Sequence, residues 1–268
     1  MQRNKGQLEE MKKELIHFVE WKKITEEKVE HTLAELRDWG VKNIVAHPVW
    51  FRDGSEHYVE KMAERLTRFG LKSTACHALW GDGNDCIIPD SGEWAEMIRK
   101  HGHFLRELTA LGVTTYTIHL GWYADRTAAW NFNLLRKTLD ALLPICEETS
   151  ITLALENSAE PFDAIVQLAE MVKQYHHDFL GMCYDCGHAN CYQKSVVKTL
   201  EVMRNDIVTC HLHDNYGEHD DHNPPSGGNI DWPELTRLLD TLPRLHHGET
   251  ESGEWDRTSW EKFCHYTA

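Results

Sequence analysis

The chain has 268 residues, 41% hydrophobic and 26% charged, with only 17 glycines and 8 prolines. That make-up suits a soluble globular protein with a substantial core and excludes disordered, collagenous and fibrous organisations. The net charge of −15 repels a phosphate backbone and makes nucleic acid a poor partner.

Along the chain one unit recurs eight times: a short β-type run, a polar loop, then an amphipathic helical stretch. The predicted strands are Leu15–Trp21, Lys42–Pro48, Leu71–Leu79, Val113–Leu120, Ile151–Asn157, Leu180–Asp185, Ile207–Asp214 and Leu245–Glu249. Between the third and fourth, Trp94, Met97, Ile98, His101, Phe104, Leu105 and Leu108 step by threes and fours, which draws one apolar stripe on a helix. Asp231-Trp-Pro-Glu234 reads as a capping box before the last helical stretch. No linker divides residues 1–268, so the expected architecture is one α/β domain, a single (β/α)₈ TIM barrel, in preference to a doubly wound sheet. No apolar run approaches the ~18 residues of a membrane span. The N-terminus, MQRNKGQLEEMKK, lacks the apolar stretch of a signal peptide, so a cytoplasmic location is expected, with the eight cysteines as free thiols.

Side chains alternate along a strand, so each run divides into an inward and an outward set. In the fifth strand Ile151, Leu153 and Leu155 suit packing against helices, which turns Thr152, Ala154 and Glu156 inward. The same division gives Ser73, Ala75 and His77; Thr115, Thr117 and His119; Gly181, Cys183 and Asp185; and Thr209, His211 and His213. In each set small residues lead to a metal-ligand type at the C-terminal end of the strand, the face where barrel enzymes place their active sites. A single strand-end histidine is usually a packing residue, but five strands in a row are not. Imidazole and carboxylate converging on one mouth suit a borderline divalent cation such as zinc or manganese.

The loop after the seventh strand adds Asp220 and His222, and His188 follows Asp185 closely enough to serve the same cavity. Cys183 and Cys186 are discarded as a ligand pair because an odd separation sends them to opposite faces. His176, His177, His246 and His247 are read as surface or packing residues. Trp50, Trp80 and Trp122 each follow a strand end, where an indole either stacks on a sugar ring or covers the rim. Trp122 and His213 are the substrate-binding candidates.

The motifs LEN (155–157), DCGH (185–188), HLHD (211–214), DDHNPPSGGNIDW (220–232) and GET (248–250) resemble, in order and spacing, the xylose-isomerase-like barrel superfamily. That superfamily groups sugar isomerases and epimerases with zinc AP endonucleases of family 2. The resemblance implies a metal core on Glu156, Asp185, His211 and Glu249, with His188 contacting substrate. Its AP endonuclease branch implies a second metal on His77 and His119 that shares Glu156, and a third on His188, Asp220 and His222. Ser226 stands where the superfamily usually has glycine, and the arginine common in ketose epimerases is absent from residues 220–222.

Two activities follow from the resemblance. In a sugar or sugar-phosphate isomerase or epimerase, one divalent ion polarises a carbonyl while Glu156 and Glu249 remove and return a proton and His188 orients a hydroxyl. In a zinc phosphodiesterase, two or three ions act on a phosphate ester, and His77, His119, Asp220 and His222 become essential. The acidic charge and the few cations in the mouth loops, chiefly Arg52, Arg126 and Lys194, favour the first. The expected partner is then a small sugar or sugar phosphate, with neither nucleic acid nor membrane; a homo-oligomer is the common state of soluble enzymes.

Overall fold

A computed structural model describes residues 13–51, 58–253 and 256–267; Arg52 and the first twelve residues lie outside them. Eight parallel strands close into one barrel in sequence order. They are β1 (Glu14–His17), β2 (Asn43–Ala46), β3 (Lys72–His77), β4 (Thr115–Ile118), β5 (Thr152–Glu156), β6 (Leu180–Asp185), β7 (Ile207–Leu212) and β8 (His247–Thr250). The helices between them are α1 (Val29–Asp38), α2 (Tyr58–Phe69), α3 (Ser91–Leu108), α4 (Ala128–Thr149), α5 (Phe162–Tyr175), α6 (Cys186–Cys191), α7 (Val196–Met203) and α8 (Trp232–Leu239). A last helix, α9 (Arg257–Thr267), follows β8. All eight predicted strands form, with the largest differences at β1, which stops at His17, and β4, which is shorter by two residues at each end, while β8 begins at His247 and runs to Thr250.

The core is layered as strand alternation requires. Leu153, Leu155, Met182, Tyr184, Cys210 and Leu212 face outward into one large cluster with the helices. That cluster includes Leu105 and Leu108 of α3 and Leu139 and Leu142 of α4. Inside the barrel, Ile16, Phe18, Val45 and Ala75 fill one region, and Ala154, Cys183 and Val208 another. Alternation with Thr209 and His211 inward would put Val208 outside. The register between β6 and β7 shifts between Met182 and Cys183, and Val208 turns toward Gly181, where a Cβ would stand 2.6 Å from its Cγ1. Gly181 thus leaves room for a side chain supplied by the next strand.

The polar ends are tied down by specific bonds. Asp231 accepts from the Glu234 amide at 3.0 Å, as the capping box predicts. Asp214, the last residue of HLHD, accepts from the amides of Asn215 and Ile230 at 2.9 and 3.2 Å and from Trp232 Nε1 at 2.9 Å. Its backbone pairs with Asn223 in both directions, at 2.7 and 2.9 Å. The β7–α8 loop is therefore pinned at both ends, and that fixes where Asp220 and His222 stand. Gly228 is required there, since a Cβ would stand 2.2 Å from the Asn215 carbonyl oxygen. The eight cysteines are free thiols, and no described helix is long and apolar enough to cross a membrane.

Candidate metal centre

Four buried side chains at the C-terminal end of the barrel, Glu156, Asp185, His211 and Glu251, bring one ligand atom each within 4.8 Å of one another. The strands place three of them. Glu156 ends β5, Asp185 ends β6, and His211 pairs in register with both Asp185 and Glu249. His211 Nδ1 lies 3.4 Å from Glu156, 3.7 Å from Asp185 and 3.2 Å from Glu251.

At the fourth position the sequence points to Glu249, whereas Glu251 is the residue grouped with Glu156, Asp185 and His211. Glu249 is fully buried on the same rung as His211, and its carboxylate points to the barrel interior. It accepts from Thr209 Oγ1 at 2.6 Å, lies 3.1 Å from His247 Nε2, and stands 3.6 Å from His211 Nε2. Glu251, two residues on, shares its parity and sits one step nearer the mouth. His211 is thus held between two carboxylates, Glu249 below and Glu251 above. His247 is buried against Glu249, a packing residue as expected, while its neighbour His246 is exposed.

Two groups overlap this one, His77 with His211 and Glu251, and Cys183 with Glu156 and His211; two more lie beside it. His77 and His119 converge on Glu156 Oε2 at 3.5 and 3.1 Å. His188, His213, Asp220 and His222 form the other. Asp220 Oδ2 lies 3.1 Å from both His188 Nε2 and His222 Nε2. His213 was expected to touch substrate; instead it is fully buried, with Nε2 3.0 and 3.1 Å from the two Asp185 oxygens. Its ring stacks on His222 at 4.0 Å and lies over Gly187, where a Cβ would stand 1.9 Å from Cε1. Asp185 also caps α6, accepting from the His188 amide at 2.6 Å, so one side chain links both groups.

The chemistry of these side chains suits cations. His77, His188 and His222 each bond Nδ1 to a backbone carbonyl, of Ala78, Asn157 and Glu251, at 2.7, 2.9 and 2.7 Å. That turns each Nε2 toward a carboxylate, Glu156 for His77 and Asp220 for His188 and His222, the arrangement common around bound metals. Both Glu156 oxygens, both His211 nitrogens, His119 Nε2 and Asp220 Oδ1 are buried without a hydrogen-bond partner. Unmet polar atoms cost stability unless something pairs with them, and here they face one another. The residues present therefore fit divalent metal. Titration shows the same tension. Burial alone would raise the Glu156 carboxyl, yet the His211 and His119 charges hold it well below the carboxylate range. Burial alone would lower His188, yet Asp185 and Asp220 raise it well above the usual histidine value.

A pocket of about 180 Å³ opens onto these groups, lined by His77, His119, Glu156, His188, Asp220, His222 and Glu251, with Trp80 at its lip. Trp80 is 47% exposed and stands edge-on to His77, ring centroids 5.2 Å apart. Trp122 does not line this pocket. It packs on Phe132 and faces a neighbouring cavity. Eight of the nine expected positions belong to these groups, and Glu251 rather than Glu249 joins Glu156, Asp185 and His211.

The sequence profile of the xylose isomerase-like TIM barrel family matches residues 33–243. The chain belongs to that family. Among curated relatives, the uncharacterized protein y4fM of Sinorhizobium fredii is 30% identical over 137 residues, 48% of this chain and 44% of that protein. The match thus spans under half the length of that relative. The fold is shared with a D-tagatose 3-epimerase-like protein (TM-score 0.77, 18% identity, covering 95% of this chain and 96% of that one). It is shared also with the IolI protein carrying a zinc atom (0.76, 17%, 95% and 98%). A family 2 AP endonuclease from Brucella melitensis is similar too (0.73, 14%, 92% and 96%).

Proposed function

We propose that this protein is a divalent-metal-dependent isomerase or epimerase of a sugar, with zinc or manganese as the ion. The observation that carries the reading is that Glu156 and Glu251 reach the same His211 nitrogen, at 3.4 and 3.2 Å, from separate parts of the barrel and line one pocket of about 180 Å³. Glu156, Asp185, His211 and Glu251 would hold the ion. When bound it supplies Lewis acidity, polarising a carbonyl and making the adjacent C–H acidic. Glu156 and Glu251 are then the paired bases: one takes the proton from one side of the substrate carbon, and the other returns it from the opposite side. His188, fixed through Nδ1 by the Asn157 carbonyl, offers Nε2 to a substrate hydroxyl. Trp80 shields the lip from water. The epimerases that share this fold, and the zinc atom in IolI, support the reading.

The two adjoining groups favour a second reading, a phosphodiesterase with two or three zinc ions, in which His77, His119, His188, Asp220 and His222 hold the additional metals. One experiment separates the two. Protein purified without chelators is analysed for metals per chain, then incubated with a panel of ketoses in D₂O. We expect deuterium to appear beside the carbonyl, and the incorporation to be lost in Glu156→Gln and in Glu251→Gln. Two or three zinc ions, with hydrolysis of a phosphodiester and no deuterium uptake, would overturn the proposal.

A further inference from the structure

A second cavity lies beside the pocket over the metal-type ligands. It measures about 870 Å³ and lies between the β3–α3 loop, the β4–α4 loop and the first turns of α3. The same two loops line both spaces. Trp80 and His119 face the small pocket, and Asp82, Asp85, Trp122 and Tyr123 face the large one. The loops are locked together between them. The amides of Cys86 and Ile87 donate to the carbonyls of His119 and Leu120 at 3.0 and 2.8 Å. Gly121, with φ +71°, lets Asp85 pack where a Cβ would stand 2.6 Å from the Asp85 Cβ. The large cavity is therefore a built feature beside the smaller one.

Its lining has a definite chemistry. Trp122 and Tyr123 give aromatic faces, and Tyr123 is 39% exposed. Asp82, Asp85 and Glu93 supply carboxylate acceptors, while Glu96 is paired with Arg99 at 2.5 and 2.8 Å. The lining's one cation, Lys100, is committed, donating to Asn84 Oδ1 at 2.7 Å. Carboxylates beside aromatic rings accept hydroxyl donors and stack on the apolar face of a sugar. The same carboxylates repel a phosphate. The small pocket has room for about one sugar unit, so anything attached to that unit needs a second place.

We propose that the cavity between the β3–α3 and β4–α4 loops is a second sugar subsite, and that the substrate is a neutral glycoside or disaccharide rather than a sugar phosphate. This rests on the sugar isomerase or epimerase reading of the adjoining pocket. Trp122 and Tyr123 stack on the outer sugar, and Asp82 and Asp85 accept from its hydroxyls.

The test uses the full chain loaded with zinc or manganese and ligand-observed NMR. The probes are a panel of hexoses, their methyl glycosides, neutral disaccharides and hexose 6-phosphates. At least one disaccharide should bind about tenfold more tightly than its parent monosaccharide, the scale of one aromatic stacking contact. The advantage should vanish in Tyr123→Ala and in Trp122→Ala while monosaccharide binding is kept. Tyr123 is the safer position, because Trp122 also packs on Phe132. Tighter binding of a hexose phosphate, equal binding of mono- and disaccharides, or binding by no probe would overturn the subsite. The pocket reading fails separately: monosaccharide binding that survives Glu251→Gln and metal removal counts against it and leaves the disaccharide ratio to judge the subsite.

Discussion

The placement of Glu251 above His211 and Glu249 below it predicts different outcomes for two substitutions of the same kind. Glu251→Gln removes a carboxylate from the four-residue group. Glu249→Gln leaves that group intact and changes only what supports it. In the second variant the amide oxygen can still accept from Thr209 and His247, now 2.6 and 3.1 Å from the carboxylate. Its NH₂ then meets His211 Nε2, 3.6 Å from the native oxygen, and two donors oppose each other. Loss of such an outer carboxylate typically weakens metal binding about 10- to 100-fold, roughly 1.4–2.7 kcal/mol. Loss of Glu251, itself within 3.2 Å of His211 Nδ1, should exceed that and leave little metal after dialysis. Competition against a chromophoric chelator gives both affinities, and elemental analysis gives metal per chain. Circular dichroism confirms that the variants fold. If Glu249→Gln lost its metal while Glu251→Gln stayed within about threefold of the native affinity, the assignment of inner and outer roles would be wrong.

Two further outcomes test the scaffold. His101 on α3 accepts at Nδ1 from the Tyr116 hydroxyl at 2.7 Å and donates from Nε2 to the Asn84 carbonyl at 2.8 Å, and burial lowers its pKa from 6.5 to about 4. The folded form resists the proton that the unfolded chain accepts, so this contribution is intact above pH 6.5 and falls by about 3 kcal/mol as pH drops toward 4. In urea unfolding, the native protein's advantage over His101→Gln should shrink by about that amount between pH 7 and pH 4; a constant difference would contradict it. Gly187→Ala would favour helix α6 by up to about 1 kcal/mol on propensity alone. Its Cβ, however, would stand 1.9 Å from the His213 ring, so we expect a net loss of about 1–3 kcal/mol and weaker metal retention. A more stable variant would show that His213 is free to move.

Strand alternation carried most of this site because parity is local. Glu156 in a run of Leu-Ala-Leu-Glu can face inward only if the leucines face the helices, and all four residues are buried in that sense. Height is not local. Glu249 and Glu251 have the same parity, and which of them stands level with the mouth depends on how β8 is staggered against β7, a property of barrel closure rather than of either strand. In the structure His211 pairs with Glu249, Glu251 follows two positions later, and it is Glu251 that joins the group. Val208 failed for a related reason, since an irregularity in β6–β7 pairing breaks the alternation within one strand. His213 was placed at the mouth by alternation along the seventh strand, and Trp122 by its position after a strand end. The sequence holds no sign that Gly187 opens a slot for one, or that the other turns outward past Gly121.

The acidic charge of the chain also changes meaning once the carboxylates are located. Glu156, Asp185, Glu249 and Glu251 stand at the end of the barrel, at most 12% exposed. Buried carboxylates in that density are tolerable only beside positive charge. Without metal the histidines supply it: His188, His211 and His119 are all held above their ordinary pKa against the burial that opposes this, in each case by neighbouring acids that include Glu156. Protons and divalent ions compete for the same nitrogen lone pairs, and a metal that binds must displace protons. The net charge of −15 therefore overstates how acidic the working mouth is, because the groups that make it acidic are those that a cation would neutralise. The cavity beside Trp122 is different. Lys100 is the cation in its lining and Arg99 pairs with Glu96 beside it, which leaves Asp82, Asp85 and Glu93 to keep the field negative after metal binds. By the subsite proposal, it is therefore that cavity rather than the metal centre that disfavours a phosphorylated substrate.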